Sequence, residues 1–423
     1  MIGRIFLTFL LLLAAFPAPG CGPARDQGTV TLVMAGGSGA EEAFAQRQLA
    51  AFEQAHPGVR VVYQATPSSA SERHTLFVTW LSSCSRDIDV LNLDVIWIPE
   101  FAAAGWLLPL DGRPETAALP LNDYLPAALA SSRYRGRLYA LPWFADAGLL
   151  YYRRDLYQAG GQPPPRTFRD LVAARDLQEK FRLPYGFLFQ GQAYEGLVTV
   201  VLEWLWSNGG GIFDPDTPEN REALAFLVDL IHRYQVAPLA VATFLEEDCR
   251  RAFEQGNALL MRNWPYAYAL MNRPGSPVKG KFAVLPVVHG PRGSPVSCFG
   301  GGALGVSAYS RHPREALQLI RFLTRRDRLK ARALALGMLP PLKSLYYDPE
   351  LQAQFPYLKE LAPVFLTARP RPISPLYSFI GDILRIHFSR ALTRQETPAQ
   401  ALKRAEEEIA RVLRRYRGAG GAP

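Results

Sequence analysis

The chain has 423 residues, 48% of them hydrophobic and 20% charged, with a formal net charge of +9. This is the composition of a globular protein, long enough for more than one core. The Arg excess falls partly in "RFLTRRDRLKARA" and "ALKRAEEEIARVLRRYRG", where Leu402, Ile409 and Val412 recur at helical spacing. The charges therefore lie on solvated helix faces, no nucleic-acid motif accompanies them, and DNA and RNA are excluded as partners.

The chain opens with "MIGRIFLTFLLLLAAFPAPGC": one cation, Arg4, an uncharged apolar run from Ile5 to Phe16, then small residues and Cys21. The run is too short to span a bilayer and predicts an export signal. Gly20-Cys21 resembles the lipobox of bacterial lipoproteins, although Ala18 stands where Leu is usual. An acylated Cys21 would tether the mature chain to the outer face of a membrane through the linker "GPARDQG". Cys84, Cys249 and Cys298 fit no metal spacing and allow at most one internal disulfide, whose pairing the sequence leaves open.

Beyond the linker, "TVTLVMAGG" reads as a strand, "EEAFAQRQLAAFEQAH" as a helix and "PGVRVVYQ" as a second strand, a βαβ unit. A helix around "RHTLFVTWLSS", the strand "DVLNLDVIWI" and a short helix through "PEFAAAGWL" repeat the alternation. "RLYALPWFADAGLLYYRRDLY" gives two short strands. "TPENREALAFLVDLIHRY" is a helix capped by Thr217, with Pro218 at its first position. "EEDCRRAFEQGNALLM" is a helix stopped near Gly256 and followed by a strand; "KFAVLPVV" is another strand, and "SRHPREALQLIRFLTRRD" is a helix entered through Pro313. The pattern predicts an α/β fold with largely parallel sheets flanked by helices.

In such sheets ligands sit beyond the carboxyl ends of strands. Residues at those ends are Glu41, Asp94 with Trp97, Asp146, and Trp264 and Tyr266 in "RNWPYAYA". Flat rings beside carboxylates suit a sugar, whose C–H face stacks on an aromatic ring while its hydroxyls bond acids, Arg and Asn. Trp264 and Tyr266 would form the wall, with Asn263 or Arg262 as polar support.

The segments "FEQAHPGVRVVYQ", "DVLNLDVIWIPEFAAAGWLLPLD", "YALPWFADAGLLYYRRDLY", "FEQGNALLMRNWPYAYAL", "GGALGVSAYSRHPREALQLIRFLT" and "RPRPISPLYS" resemble the extracellular solute-binding proteins of carbohydrate ABC importers, most of all the trehalose/maltose-binding group. The resemblance implies two α/β lobes joined by a hinge, in the type II-like periplasmic-binding-protein fold, closing on a sugar and docking on a membrane permease. It implies a monomer with no catalytic residue, metal or cofactor. With a signal peptide at 1–21 and a linker at 22–28, it places one lobe at 29–134 plus 297–345 and the other at 135–296 plus 346–415, before a flexible tail at 416–423.

Residue by residue, the resemblance makes Asp94 and Asp146 hydroxyl acceptors from opposite lobes and Trp264 and Tyr266 a stacking pair. Glu41 falls near an acidic position at the first helix start, Arg73 in a pair whose second member is here His74, and Arg371 where a guanidinium reaches the sugar. Gly301 and Gly302 lie in a glycine-rich strand entry that lets backbone approach the ligand. Related chains carry Trp where Gly302 stands, so an enlarged site and a ligand differing from trehalose in size or linkage are expected. Two other ligand classes stay open, a phosphodiester or polyamine bound by the same fold, and a glycoside hydrolase acting through Asp94 and Asp146.

Overall fold

The computed structural model describes residues 29–67, 69–212 and 215–418. The signal segment with Cys21, the linker 22–28 and residues 419–423 lie outside the described residues.

The chain enters through β1 (Val30–Gly37), the helix Ala40–Ala55, β2 (Val59–Thr66), the helix Ala70–Ser82 and β3 (Val90–Asp94). β1 pairs in parallel with β2, Val30 opposite Val59, and with β3, Met34 opposite Val90. The helix Ala40–Ala55 forms where the sequence places Phe44, Leu49 and Phe52 on one face, and all three are buried. The next helix is capped by Ser69, whose hydroxyl accepts from the Glu72 N–H.

A hairpin of β4 (Arg133–Tyr134) and β5 (Arg137–Leu138) leads into β6 (Ala140–Ala147), β7 (Leu149–Tyr152), β8 (Tyr185–Leu188), β9 (Ala258–Asn263), β10 (Ala283–Pro286), β11 (Cys298–Val306) and β12 (Arg369–Pro370). The first sheet runs β12-β11-β3-β1-β2, with β6 added alongside β11, and the second runs β10-β7-β9-β8. Two helix-flanked sheets are as expected, but strand direction is more mixed than the alternation implied. β11 is antiparallel to both β3 and β6, and β7 is antiparallel to both β9 and β10. A strand buried on both faces reads as a continuous apolar run whichever way it points, so direction leaves no mark on the pattern.

The two sheets are joined where β6 passes through Gly148 into β7 and where the chain returns through Ser297 into β11. These passages lie side by side, because the Ser297 hydroxyl donates to the Gly148 carbonyl at 2.7 Å. A side chain at Gly148 would overlap the Glu203 carboxylate and the Arg262 guanidinium. By sheet membership β6 belongs with the first sheet, as does the short β12, whereas the expected boundaries assigned both to the second lobe.

The helix Glu195–Ser207 is buried along nearly its whole length and meets the second sheet through Trp204 on Phe187 and Glu203 on Arg262. The helix Tyr377–Leu392 packs against it and against the helix Pro218–His232, so residues late in the chain stand beside elements of the second sheet. Thr217 caps the helix Pro218–His232, accepting from the Asn220 N–H as its sequence signature predicts. The expected tail is in part helical, since the last helix runs Pro398–Gly418. The three described cysteines are free, Cys84 exposed and Cys249 and Cys298 buried.

Candidate functional site

Gly37 ends β1 and the helix Ala40–Ala55 follows at once, which swings Glu41 back over the strand end; a Cβ on Gly37 would lie 2.8 Å from its carboxyl carbon. The Glu41 carboxylate accepts from Asn92 Nδ2 at 2.8 Å and from Arg332 Nη2 at 3.1 Å. Asp94 closes β3, and its Oδ1 accepts from the Ile96 N–H at 3.2 Å and from Arg371 Nη2 at 3.3 Å.

β11 brings a glycine floor to this point. Gly300 pairs with Asp146, Gly301 with Ala145 and Gly302 with both Phe144 and Asp94. A Cβ on Gly300 would sit 3.2 Å from two Trp264 ring atoms and 3.4 Å from the Asp146 Cβ. At Gly301 φ is +129°, a conformation that suits glycine, and a side chain there would strike the Phe144 carbonyl. A side chain at Gly302 would collide with the Phe144 ring and come within 2.9 Å of Asn92 Oδ1. This corrects one expectation: the space at Gly302 is taken by Phe144 rather than left to enlarge the site. Phe144 and Asp146 are two apart on one strand and therefore share a face. Trp264 and Phe144 thus lie on the glycines, with Asp146 next to both.

The second sheet supplies the ring wall. Trp264 follows β9 directly, and its Nε1 donates to Glu246 Oε1 at 3.4 Å. The Tyr266 hydroxyl donates to Glu247 Oε1 at 2.9 Å, and burial with the Glu247 and Glu246 charges holds its pKa above the ordinary value. Arg262 and Asn263 support the wall from behind. Asn263 Oδ1 accepts from the Trp264 N–H at 2.8 Å, and the Arg262 guanidinium stands 4.0 Å from the Trp264 ring centroid. Arg262 is itself buried and forked onto Glu203 at 2.8 and 2.7 Å.

Arg371 joins the two halves. It reaches Asp94 from one side and Glu195, at the start of the helix Glu195–Ser207, at 2.7 Å from the other; Tyr377 also donates to Glu195 at 2.6 Å. Burial opposes the Arg371 charge, but Asp94 and Glu195 outweigh it and hold its pKa above the ordinary guanidinium value. Burial raises the pKa of Glu195, with Arg371 working against the rise. Asp146 has an enclosed Oδ1 that makes no hydrogen bond among the described residues. Burial pushes its pKa up to about 7; Arg332 and Arg262 pull it down, Asp94 and Glu246 push it up.

The expected residues Glu41, Asp94, Asp146, Trp264, Tyr266, Gly301, Gly302 and Arg371 therefore converge. Arg73 stands over Trp97, 5.5 Å from its ring centroid, and its Nε bonds no described residue. His74 instead meets Glu100 at 3.0 Å, and Ser378 donates to the same carboxylate. Residues that the sequence reading missed are Asn92, Phe144, Glu195, Glu246, Arg332 and Tyr377. Phe144 and Asn92 carried a usable signal, the period-two spacing to Asp146 in "PWFADAG" and to Asp94 in "NLD". Glu195, Glu246, Arg332 and Tyr377 lie on helices, where no strand end marks them. Among the described residues no cluster of three or more His, Cys, Asp or Glu is arranged to hold a metal ion.

Two helix-flanked sheets meeting at a cluster of acids, guanidinium groups and rings have the form of a protein that encloses a polar ligand between lobes. The chain belongs to the bacterial extracellular solute-binding proteins, whose family model matches residues 34–327. A probable ABC transporter-binding protein of Deinococcus radiodurans is 36% identical over 362 residues, 82% of this chain and 85% of the relative. Maltose-bound MalE3 of T. maritima superposes with a TM-score of 0.86 at 40% identity, over 90% of this chain and 100% of that one. The GacH receptor of Streptomyces glaucescens, solved unliganded and with acarbose, gives 0.81 at 25% identity, over 91% and 99%. The chain is thus an exported binding protein and not an enzyme, which removes the hydrolase reading. Among the described residues no helix is long and apolar enough to cross a membrane.

Proposed function

We propose that this protein captures an α-glucoside of the maltose or trehalose kind between its lobes and delivers it to the permease of an ABC importer, held at the membrane by a lipid on Cys21. The observation that carries the ligand class is the Trp264 ring lying on Gly300 beside Asp146, whose Oδ1 no described residue satisfies. A sugar ring stacked on Trp264 offers a hydroxyl to that oxygen. Maltose in the MalE3 complex and acarbose in the GacH complex support the same class. A phosphodiester fits less well, because Arg371, Arg262 and Arg332 each share their charge with a carboxylate and Asp146 adds a further acid beside Trp264. The lobe division we propose follows the sheets, with the hinge at Gly148 and Ser297.

The test is calorimetry of the unlipidated protein with maltose, trehalose and maltotriose. Trp264→Ala should weaken the sugar that binds by about 1–3 kcal/mol, the cost of deleting an aromatic anchor, with the melting temperature little changed. Unchanged affinity in that variant would remove Trp264 from the site.

A further inference from the structure

Arg332 lies in the helix Arg326–Leu336 and is fully buried. Its guanidinium is stacked 3.6 Å from the Trp143 ring centroid and 5.1 Å from that of Phe144. One nitrogen, Nη2, makes both of its contacts, to Glu41 Oε1 at 3.1 Å and to Met338 Sδ at 3.0 Å. Nε and Nη1 are enclosed and bond no described residue. A buried guanidinium normally uses its whole fork, so two idle donors are costly and need an account.

The groups that stand nearby explain them. Arg332 is the strongest positive influence on Asp146, yet the two share no ion pair, and Asp146 Oδ1 is idle as well. The segment just past the helix runs along β6, since the Ala145 N–H donates to the Leu339 carbonyl at 2.8 Å. Gly337, one residue beyond the helix, packs against the Tyr266 backbone. Arg332 is therefore anchored by Glu41 on the first-sheet side and faces the strand that carries Phe144 and Asp146. Idle donors and an idle acceptor are matched by a group that accepts from a guanidinium and donates to a carboxylate through one atom, as a sugar hydroxyl does.

We propose that Arg332 contacts the ligand and, with Asp146, clamps one sugar hydroxyl: a guanidinium N–H donates to the hydroxyl oxygen and the hydroxyl donates to Asp146 Oδ1. The inference rests on the sugar reading above. It assigns a specificity-determining role to a residue that the sequence shows only as one Arg among many in "RRDRLKARA".

The experiment is calorimetry of the unlipidated chain with maltose and a set of monodeoxy-maltoses, on wild type, Arg332→Gln and Asp146→Ala. Arg332→Gln should bind maltose at least about tenfold more weakly, the usual loss for a charge-assisted bond. One deoxy position should lose affinity in wild type and lose nothing further in either variant, a coupling that a merely structural role would not produce. Asp146→Ala keeps the test available should the buried Arg332 prove necessary for folding, since its carboxylate oxygen is idle in the protein. Equal maltose affinity for wild type and a folded Arg332→Gln, or deoxy penalties that add without coupling, overturns the clamp alone. A wild type that binds none of these sugars overturns the sugar reading and the clamp with it.

Discussion

Replacing Glu203 should unsettle both the fold and the ring wall. Its carboxylate accepts from Arg262 Nε at 2.8 Å, from Arg262 Nη2 at 2.7 Å and from the Cys298 N–H at 3.1 Å, and both side chains of the pair are 4% exposed or less. In Glu203→Ala the guanidinium keeps only Gln190 Oε1, at 3.2 Å, as a polar partner on this side. An uncompensated buried charge costs about 3–5 kcal/mol, and the Cys298 N–H left without an acceptor adds about 1–3 kcal/mol. Replacing both ends by apolar groups, Glu203→Leu with Arg262→Met, removes the charge problem and should recover most of the loss. The double variant nonetheless withdraws the guanidinium behind Trp264 and should bind sugar more weakly than wild type. Urea unfolding followed by Trp fluorescence reads the first effect and calorimetry the second. A single variant that loses less than about 1 kcal/mol, or a double variant no more stable than the single, would refute this account of the pair.

Asp146 should make stability fall with rising pH. Its folded-state pKa, about 7, lies above the ordinary carboxyl value of 3.8, so the folded chain binds more protons between them. The stabilisation is full below about 3.8 and lost as pH rises through about 7, a trend in urea midpoints that Asp146→Asn should reduce, leaving the smaller part due to Glu195. A sugar hydroxyl donating to this carboxylate favours its charged form, so affinity should rise from pH 6 to 8 with proton release, measurable by calorimetry in buffers of different ionisation enthalpy. Gly302→Ala should lower the melting temperature because its Cβ meets the Phe144 ring, and Phe144→Ala in the same chain should restore it.

The elements carrying the site were legible because their cause is local. Thr217 and Pro218 announce a helix start, Gly256 follows a helix end, and the alternation from "TVTLVMAGG" onward sets the first βαβ unit. Asp94, Asp146 and Trp264 were legible for a related reason, as polar or aromatic residues at the ends of apolar strands. Phe144 was missed because its meaning depends on Gly302, 158 positions later and opposite it only once β11 has paired with β6. Glu195 was missed because it becomes a site residue through Arg371, 176 positions away. Such partners are chosen by topology, and nothing in the spacing of either residue encodes the other.

Arg371 also bears on how the proposed lobes close. Its contact with Asp94 links it to the first sheet, and its contact with Glu195 links it to the helix against which Tyr377–Leu392 packs. Ser378 on that same helix donates to Glu100 of the first sheet's side. These contacts use protein groups alone and favour the arrangement in which both halves touch, whether or not a ligand is bound. A ligand must supply about 5.5 kcal/mol of differential binding to move a two-state equilibrium from 1:99 to 99:1, and less when the starting ratio is nearer even. The bridging side chains therefore lower what the sugar has to contribute to closure. What they leave without a partner is Asp146 Oδ1, Arg332 Nη1, Arg332 Nε and Arg371 Nε, so ligand contacts there would be made in full only when Trp264 from one sheet and Asp146 from the other enclose the same ring. On this reasoning selectivity resides in the idle atoms around Asp146 and Arg332 and in the stacking wall, and the Arg371 network sets how readily the lobes meet around any sugar.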